Sequence, residues 1–592
     1  MASIQTTMVP WHEGEENVHR LLKAPHGDNP TTPFLSPRAA FLVQQCPLIA
    51  LGTLDSQGRP WSTLWGGTAG FAQPALESQQ IELHAPIDSK YDPVVRALRV
   101  DEHNAKYRRK MVSGLSIDLE NRRRVKLYGT MAGGSLSDGK TGQAQLVVHI
   151  DDSLGNCPKY LNKKHIVPVS LEPKLVSDSP QLGPEALELL ARADTMFVSS
   201  SHGNMSMDTN IRGGPAGFMR VASNDFGGAV LVYPEYSGNR LYQTLGNLQT
   251  TPRAGYVVPD FDTGNVLYFT GSTEILIGND AAAIIPRSNL AVRVTIAAAL
   301  FVENGLPFHG EAGEPSPYNP SVRYLINEKQ IPGTQEASET DATATLIKKE
   351  ILTPSINRYR FRISSRNPSS WTAGQYATLS FQDELDMGYS HMREDDPASL
   401  NDDFMRTFTV SSYPGRGMPD NEFEIMARRN GPVTRYLCHV NEKAGLEVPL
   451  KGFGGSFRIS TEKAIAPYVA GGIGITPLIA QLPDLDISRL RLYWSISMAD
   501  LGVVHDTFQR WSQLPRSTTL FITRKVELDE ADRRMWDEIL SSGVHIKQRR
   551  MEAEDLEPEL ADVWYLCAGV ALKGMVLNWL VGKTVVYEEF NY

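Results

Sequence analysis

YVAGGIGITPLIAQL, residues 468–482, carries an apolar strand into Gly471, Gly472 and Gly474 and then into a helical pattern. Glycines at such a turn let backbone amides and a helix N-terminus approach a pyrophosphate. Taken alone, the turn fits tight packing as well as it fits nucleotide binding. From residue 465 onward, apolar strands (APYVAGG, LRLYWSI, TTLFITR, DVWYLCAG) alternate with helical patterns (ITPLIAQL, HDTFQRWSQL, ADRRMWDEIL). That alternation predicts a parallel-sheet α/β domain over 461–592.

Upstream, residues 346–460 read as the short strands of a β-barrel. One strand ends in Arg406-Thr407-Phe408-Thr409, followed by Ser411 and Ser412, and EFEIMARRNGPVTRYL (422–437) sets Gly431 and Thr434 at a turn into a helix. YLCAG (565–569) closes a late strand, and YEEF (587–590) follows. In this order the motifs resemble the ferredoxin–NADP reductase superfamily over residues 343–592. The resemblance implies a FAD-binding β-barrel, a nucleotide-binding α/β domain, and hydride transfer from NAD(P)H to FAD.

On that resemblance Arg406 binds FAD phosphate, for which its two-pronged donor fork is suited. Thr407 belongs to the same motif, Phe408 packs along the ribityl chain or ring, and Thr409 bonds the flavin edge. Gly431 and Thr434 cradle the pyrophosphate, while Gly471, Gly472, Gly474 and Thr476 face the nicotinamide dinucleotide. Cys567 stands near the hydride-donating carbon, with Glu588 as the second catalytic candidate. Phe590 or Tyr592 covers the isoalloxazine until nicotinamide displaces it. Two departures stand out: Phe408 replaces a family Tyr, and the family's Cys-Gly-Pro reads Cys567-Ala568-Gly569. Ser-Met-Ala-Asp (497–500) replaces the basic residue that often reads the NADPH 2′-phosphate, favouring NADH without fixing the choice. Apart from the resemblance, a lone Cys such as Cys567 is a small buried core residue.

The N-terminal half contains a repeat. TLDSQGRPWSTLWGGTAGFA (53–72) matches SSHGNMSMDTNIRGGPAGFM (200–219), with Gly66, Gly67, Gly70 and Phe71 facing Gly213, Gly214, Gly217 and Phe218. HAPIDSKYDPVVRAL (84–98) continues the match against VYPEYSGNRLYQTL (232–245) through Pro86/Pro234 and Ser89/Ser237. Short apolar segments between Gly, Asn and Asp turns predict small antiparallel barrels. Two tandem copies most simply fold as an intrachain pseudo-dimer.

Residues 193–276, and 40–165 more loosely, resemble the FMN-binding split barrels related to pyridoxamine 5′-phosphate oxidase, and GNCPKY (155–160) is typical of that branch. The resemblance implies FMN held by Ser237, Asn239 and Arg240 at its phosphate, with Asn210 and Arg212 on the facing strand. Lys159 and Tyr160 of the first copy form the opposite wall. The first copy has Ser89-Lys90-Tyr91-Asp92 where the second has Ser-Gly-Asn-Arg, so one site per chain is expected.

The expected architecture is therefore multidomain: an extension (1–37), tandem antiparallel split barrels (38–180 and 181–331), a linker (332–345), a β-barrel FAD domain (346–460) and the α/β domain (461–592). Across 592 residues a formal charge of −10, without a single-sign domain, excludes a nucleic-acid coat or membrane-surface protein. The opening residues show no basic start followed by an apolar stretch, and no eighteen apolar residues run together, so a cytoplasmic location is expected. Cys46, Cys157, Cys438 and Cys567 are isolated, which provides neither a disulfide framework nor a zinc or iron–sulfur site. No metal is expected. DELDMGYSHMREDDPASLNDD (383–403), with His391, reads as a solvated insertion, Arg122 to Arg124 as a solvated face, and His202 as a turn residue. Three functions stay open: FAD passing electrons to FMN or a small-molecule substrate; FAD alone reducing dioxygen, a quinone, free flavin or ferric iron; or barrels that bind a ligand or partner. Oligomeric state also stays open.

Overall fold

The computed structural model describes residues 9–24, 27–99, 110–137, 142–155, 159–328, 342–365, 370–386, 393–461, 465–524, 526, 529–557 and 561–588. The chain forms two compact units, Met1–Lys329 with Tyr389–Asp402, and Gln330–Gly388 with Asp403–Tyr592. Mostly antiparallel sheets and one parallel sheet make up the protein.

In the first unit, strands Leu48–Leu54, Pro60–Gly66, Ala72–Ala75, Gln80–Ile87, Met111–Asp118, Arg123–Leu136 and Gly142–Gly155 form an antiparallel sheet. Counted along the chain, their order across the sheet is 2-1-5-6-7-4-3. Strands Thr195–His202, Ser206–Gly213, Arg220–Asp225, Gly228–Pro234, Arg253–Pro259, Val266–Ile277 and Leu290–Glu303 repeat that order. Each sheet is preceded by a helix (Pro37–Gln45, Pro184–Arg192) and carries another between its fourth and fifth strands (Pro93–Arg99, Gln243–Thr250). The repeated glycine motif has a local cause: Gly70 and Gly217 hold φ of +86° and +75°, a region that favours residues without a Cβ. The phenylalanine after each is buried.

The two sheets pack closely. A Cβ on Gly52 would lie 2.2 Å from Oγ of Ser199, the residue that matches Gly52 in the repeat. Neighbouring contacts come in exchanged pairs. Ser113 meets Thr209 at 2.6 Å, while Gly255, the match of Ser113, abuts Pro60 and Trp61 beside Ser62, the match of Thr209. The helix Glu13–Leu21 lies across Gln243–Thr250 at Gly14, where a Cβ would stand 2.1 Å from the Gly246 carbonyl.

In the second unit, strands in the order Met405–Thr409, Tyr376–Ser380, Glu447–Gly454, Thr343–Thr353, Ile356–Ser364 and Glu422–Arg428 form an antiparallel sheet. A bridge between Val410 and Ile425 brings its two edges together. The first barrel strand starts at Thr343, inside the segment read as linker. Six parallel strands follow, ordered His545–Lys547, Thr518–Thr523, Leu490–Ser497, Ala466–Gly471, Val563–Cys567 and Thr584–Tyr587. Arg358 of the barrel, buried, bonds Glu350 and Asp506 of the helix Leu501–Arg510, tying barrel to parallel sheet.

Candidate functional sites

In an open parallel sheet, ligands bind where strand order reverses, at the carboxyl ends of the strands. Here the reversal falls between Ala466–Gly471 and Val563–Cys567. Gly471 and Cys567 end those strands. Side chains are excluded between them: a Cβ on Gly474 would meet the Cys567 carbonyl oxygen at 2.0 Å, and one on Gly471 the Ala568 Cβ at 2.9 Å. Three successive loop carbonyls are held: Gly472 by Trp494 Nε1 (2.9 Å), Ile473 by Thr476 Oγ1 (3.2 Å), and Gly474 by Tyr468 Oη (2.8 Å). The helix expected over ITPLIAQL is one α turn, Thr476–Ile479, after a 3-10 turn; Pro483, which lacks an amide donor, marks the next 3-10 turn. Ser-Met-Ala-Asp (497–500) is structural: Ser497 caps Ala499, and buried Asp500 accepts bonds from Arg428 and Ser355.

Glu588 lies against the same strand ends, its amide bonded to the Leu566 carbonyl at 3.1 Å. Burial raises its carboxyl to about 7. Burial first, and the Glu588 charge second, push the Cys567 thiol and the Tyr376 hydroxyl well up, so both stay protonated at neutral pH. Tyr376 pairs with Thr409 on the neighbouring barrel strand. Its hydroxyl and Thr409 Oγ1 are both buried with no hydrogen-bond partner among the described residues. Buried polar groups are ordinarily satisfied, so two orphaned hydroxyls in one pair stand out.

The other barrel candidates are placed as follows. Arg406 is half-buried, donating to the Met405 carbonyl at 2.8 Å, and Thr407 is exposed. Phe408 is buried in the barrel core, paired with Ala377, on the strand face opposite Thr409. Gly431 begins the helix Pro432–His439 with open space at its Cα. Thr434 Oγ1 accepts the amides of Asn430 (2.8 Å) and Gly431 (3.0 Å), so it caps the helix from within. Phe590 and Tyr592 lie outside the described residues.

A second site is a cavity between the two repeats of the first unit. Asn210, Arg212, Asn239 and Arg240 line it from one repeat, and Lys159 and Tyr160 from the other. Ser237 does not line it: its amide donates to Asn401 Oδ1 (3.0 Å), and its carbonyl accepts from Lys159 Nζ (3.1 Å) and Tyr160 Oη (2.8 Å). Arg212 pairs with Glu235 at 2.6 Å, and Tyr236 Oη is buried without a partner among the described residues.

Asp92 sets the corresponding position of the first repeat apart. Its buried carboxylate accepts Thr63 Oγ1 (2.6 Å), Trp65 Nε1 (2.9 Å) and the amides of Val94 (2.8 Å) and Val95 (3.2 Å). By the repeat, Thr63 and Trp65 match Asn210 and Arg212, and Asp92 matches Arg240. The first copy fills the position with its own anion. The second puts a cation there, and Gln243–Thr250 begins without a side-chain cap.

Two sequence readings are corrected here. Arg124 is buried and lines the cavity with Lys126, so the basic hairpin is only partly a solvated face. Arg124 and Lys126 share one strand face, a signal present in the period-two pattern. Lys126 pairs with buried Asp208, and burial lowers its affinity for the proton despite that partner. The insertion is the second correction. Residues 393–402 belong to the first unit, where Asn401 Nδ2 reaches Tyr160 Oη (2.8 Å) and Arg323 donates to its carbonyl (3.1 Å). Local sequence carries no mark of such a long-range tether. His202 is stacked on His12, ring centres 4.2 Å apart. His391 and Cys157 lie outside the described residues. Among the described residues no cluster of three metal-ligating side chains occurs, and no helix is long and apolar enough to cross a membrane.

No family model and no curated protein matches the chain. Among solved structures, the flavohem-like FAD/NAD binding domain of nitric oxide dioxygenase from Vibrio cholerae O1 biovar El Tor is 17% identical, with a TM-score of 0.30, over 42% of this chain and 99% of that one. Phthalate dioxygenase reductase is 16% identical, with a TM-score of 0.29, over 42% and 67%. The cytochrome b5 reductase domain of Ulva prolifera nitrate reductase is 13% identical, with a TM-score of 0.28, over 42% and 96%.

Proposed function

We propose that the chain is an NAD(P)H-dependent flavoprotein oxidoreductase whose second unit holds FAD beside a nicotinamide dinucleotide. The observation that carries this reading is the gathering of Cys567, Glu588, Tyr376 and Thr409 at the strand-order reversal, with two buried hydroxyls left for a ligand. FAD fits that donor set: Thr409 and Tyr376 offer hydroxyls to a flavin edge, Arg406 offers charge to phosphate, and Gly431 leaves room for a pyrophosphate. Gly471 to Thr476 would face the dinucleotide, with Cys567 and Glu588 beside the reacting carbon. Bound FAD supplies an acceptor for hydride and a donor of single electrons. The residues of the chain position the reactants and exclude water, a task that calls for no strong base.

The first unit is proposed as a split-barrel pseudo-dimer with one FMN site, at the cavity of Arg240, Arg212, Asn210, Lys159 and Arg124. Its cations and the unpartnered Tyr236 hydroxyl suit a phosphorylated aromatic ligand, and Asp92 limits the chain to one such site. FMN is then the onward electron acceptor, or the place where a small-molecule substrate is reduced. A second reading leaves FAD alone, with an external acceptor and the barrels as a binding module. It is favoured by the Arg212–Glu235 and Lys126–Asp208 pairs, which already neutralise two of the cations. Cofactor extraction with anaerobic NADH and NADPH titration tests both. Equal FAD and FMN supports the two-flavin reading, FAD alone the second, and a colourless protein that takes up no FAD overturns both.

A further inference from the structure

The loop from Ser237 to Tyr242 is strained, because Arg240 and Tyr242 both stand in the left-handed region, at φ of 61° and 52°. Side chains are disfavoured there, and such a conformation persists only where the surroundings hold it. One hold comes from outside both repeats. His19, on the helix Glu13–Leu21 and buried, places Nε2 2.8 Å from the Arg240 carbonyl and Nδ1 2.9 Å from the Glu15 carbonyl. We propose that His19 is a positioning residue for the cavity, and that the N-terminal helix is a latch holding the Arg240 loop in its binding shape. This rests on reading the cavity as an FMN site.

A carbonyl oxygen only accepts, so the ring holds the Arg240 carbonyl by donating from Nε2. The ring is enclosed by Trp11 and Tyr242, with centres 5.0 and 5.3 Å away. The close approach of Gly14 to Gly246 seats the latch without involving the ring.

The test is FMN binding to the full chain by fluorescence titration, for wild type, His19→Ala, His19→Gln and Gly14→Leu, with FAD content as the control. Losing the hydrogen bond to the Arg240 carbonyl predicts that His19→Ala raises the FMN Kd about tenfold, and that His19→Gln, whose amide can still donate, recovers part of the loss. Gly14→Leu, which unseats the helix but keeps the imidazole, weakens FMN binding in the same direction. FAD content stays constant in all four. A wild type that binds FMN beside a His19→Ala protein of equal affinity overturns the latch alone. A wild type that takes up no FMN overturns the cavity assignment and the latch with it.

Discussion

Gly474 stands so close to Cys567 that any Cβ on it would come within 2.0 Å of the Cys567 carbonyl oxygen. The obstacle is backbone in the middle of a parallel sheet, which cannot swing aside as a side chain can. Gly474→Ala is therefore expected to spread the two strand ends that flank the candidate dinucleotide site, at a cost of about 1–3 kcal/mol. NADH reduction of bound flavin should slow by an order of magnitude or more in stopped-flow, while FMN content is unchanged. Wild-type kinetics in the variant would remove the reversal point from the site.

Thr409 and Tyr376 give a test in which stability and binding separate. Removing a hydroxyl that has a partner destabilises, whereas removing one that has none does not. Thr409→Val and Tyr376→Phe should leave the unfolding midpoint of the FAD-free protein unchanged or slightly raised. Each should weaken FAD retention, by about tenfold if the lost bond is a typical one. A drop in apo stability with full FAD affinity would mean the hydroxyls serve the fold.

The pH dependence at Glu588 follows from its burial, which lifts the folded carboxyl from 4.5 to about 7. Between those values the folded chain holds a proton that the unfolded chain has released. Stability therefore falls as pH rises from about 4.5 through 7, and levels off above. Glu588→Gln should flatten that slope, so wild type and variant differ more at pH 8 than at pH 5 in thermal unfolding. Parallel curves would place Glu588 in water.

The glycine turns, the strand alternation and the repeat were legible because each is a local consequence of chain geometry. Gly471 and Gly474 mark a close backbone approach, and Gly70 and Gly217 a left-handed turn, wherever they occur. Asn401 and His19 were not legible, since each acts through a partner more than 150 positions away and neither belongs to a motif. Arg124 lay between these cases: its period-two pairing with Lys126 was visible, but only the packed second repeat shows that this face is covered. Tyr376 went unseen because the motif drew attention to Phe408, and the strand pairing that sets Tyr376 opposite Thr409 has no trace in local sequence.

Arg240 and Asp92 occupy one position of the repeat with opposite charge, and the exchange can be run backwards. Arg240→Asp would bring to the second repeat the carboxylate that the first uses to satisfy Thr63, Trp65 and two helix amides. Aspartate tolerates the left-handed conformation Arg240 holds, so the loop keeps its shape. Its carboxylate would sit near Arg212 and at the uncapped start of Gln243–Thr250, where negative charge is favoured. The variant should fold, keep FAD, and lose FMN, because the anion position is filled from within as it is in the first repeat. The reverse logic separates this from simple loss of a cation. Arg240→Ala empties the position and should retain weak FMN binding that strengthens at low salt, whereas Arg240→Asp should show none at any ionic strength. If Arg240→Asp bound FMN as well as Arg240→Ala, the two positions would not be equivalent and the single-site argument would fall.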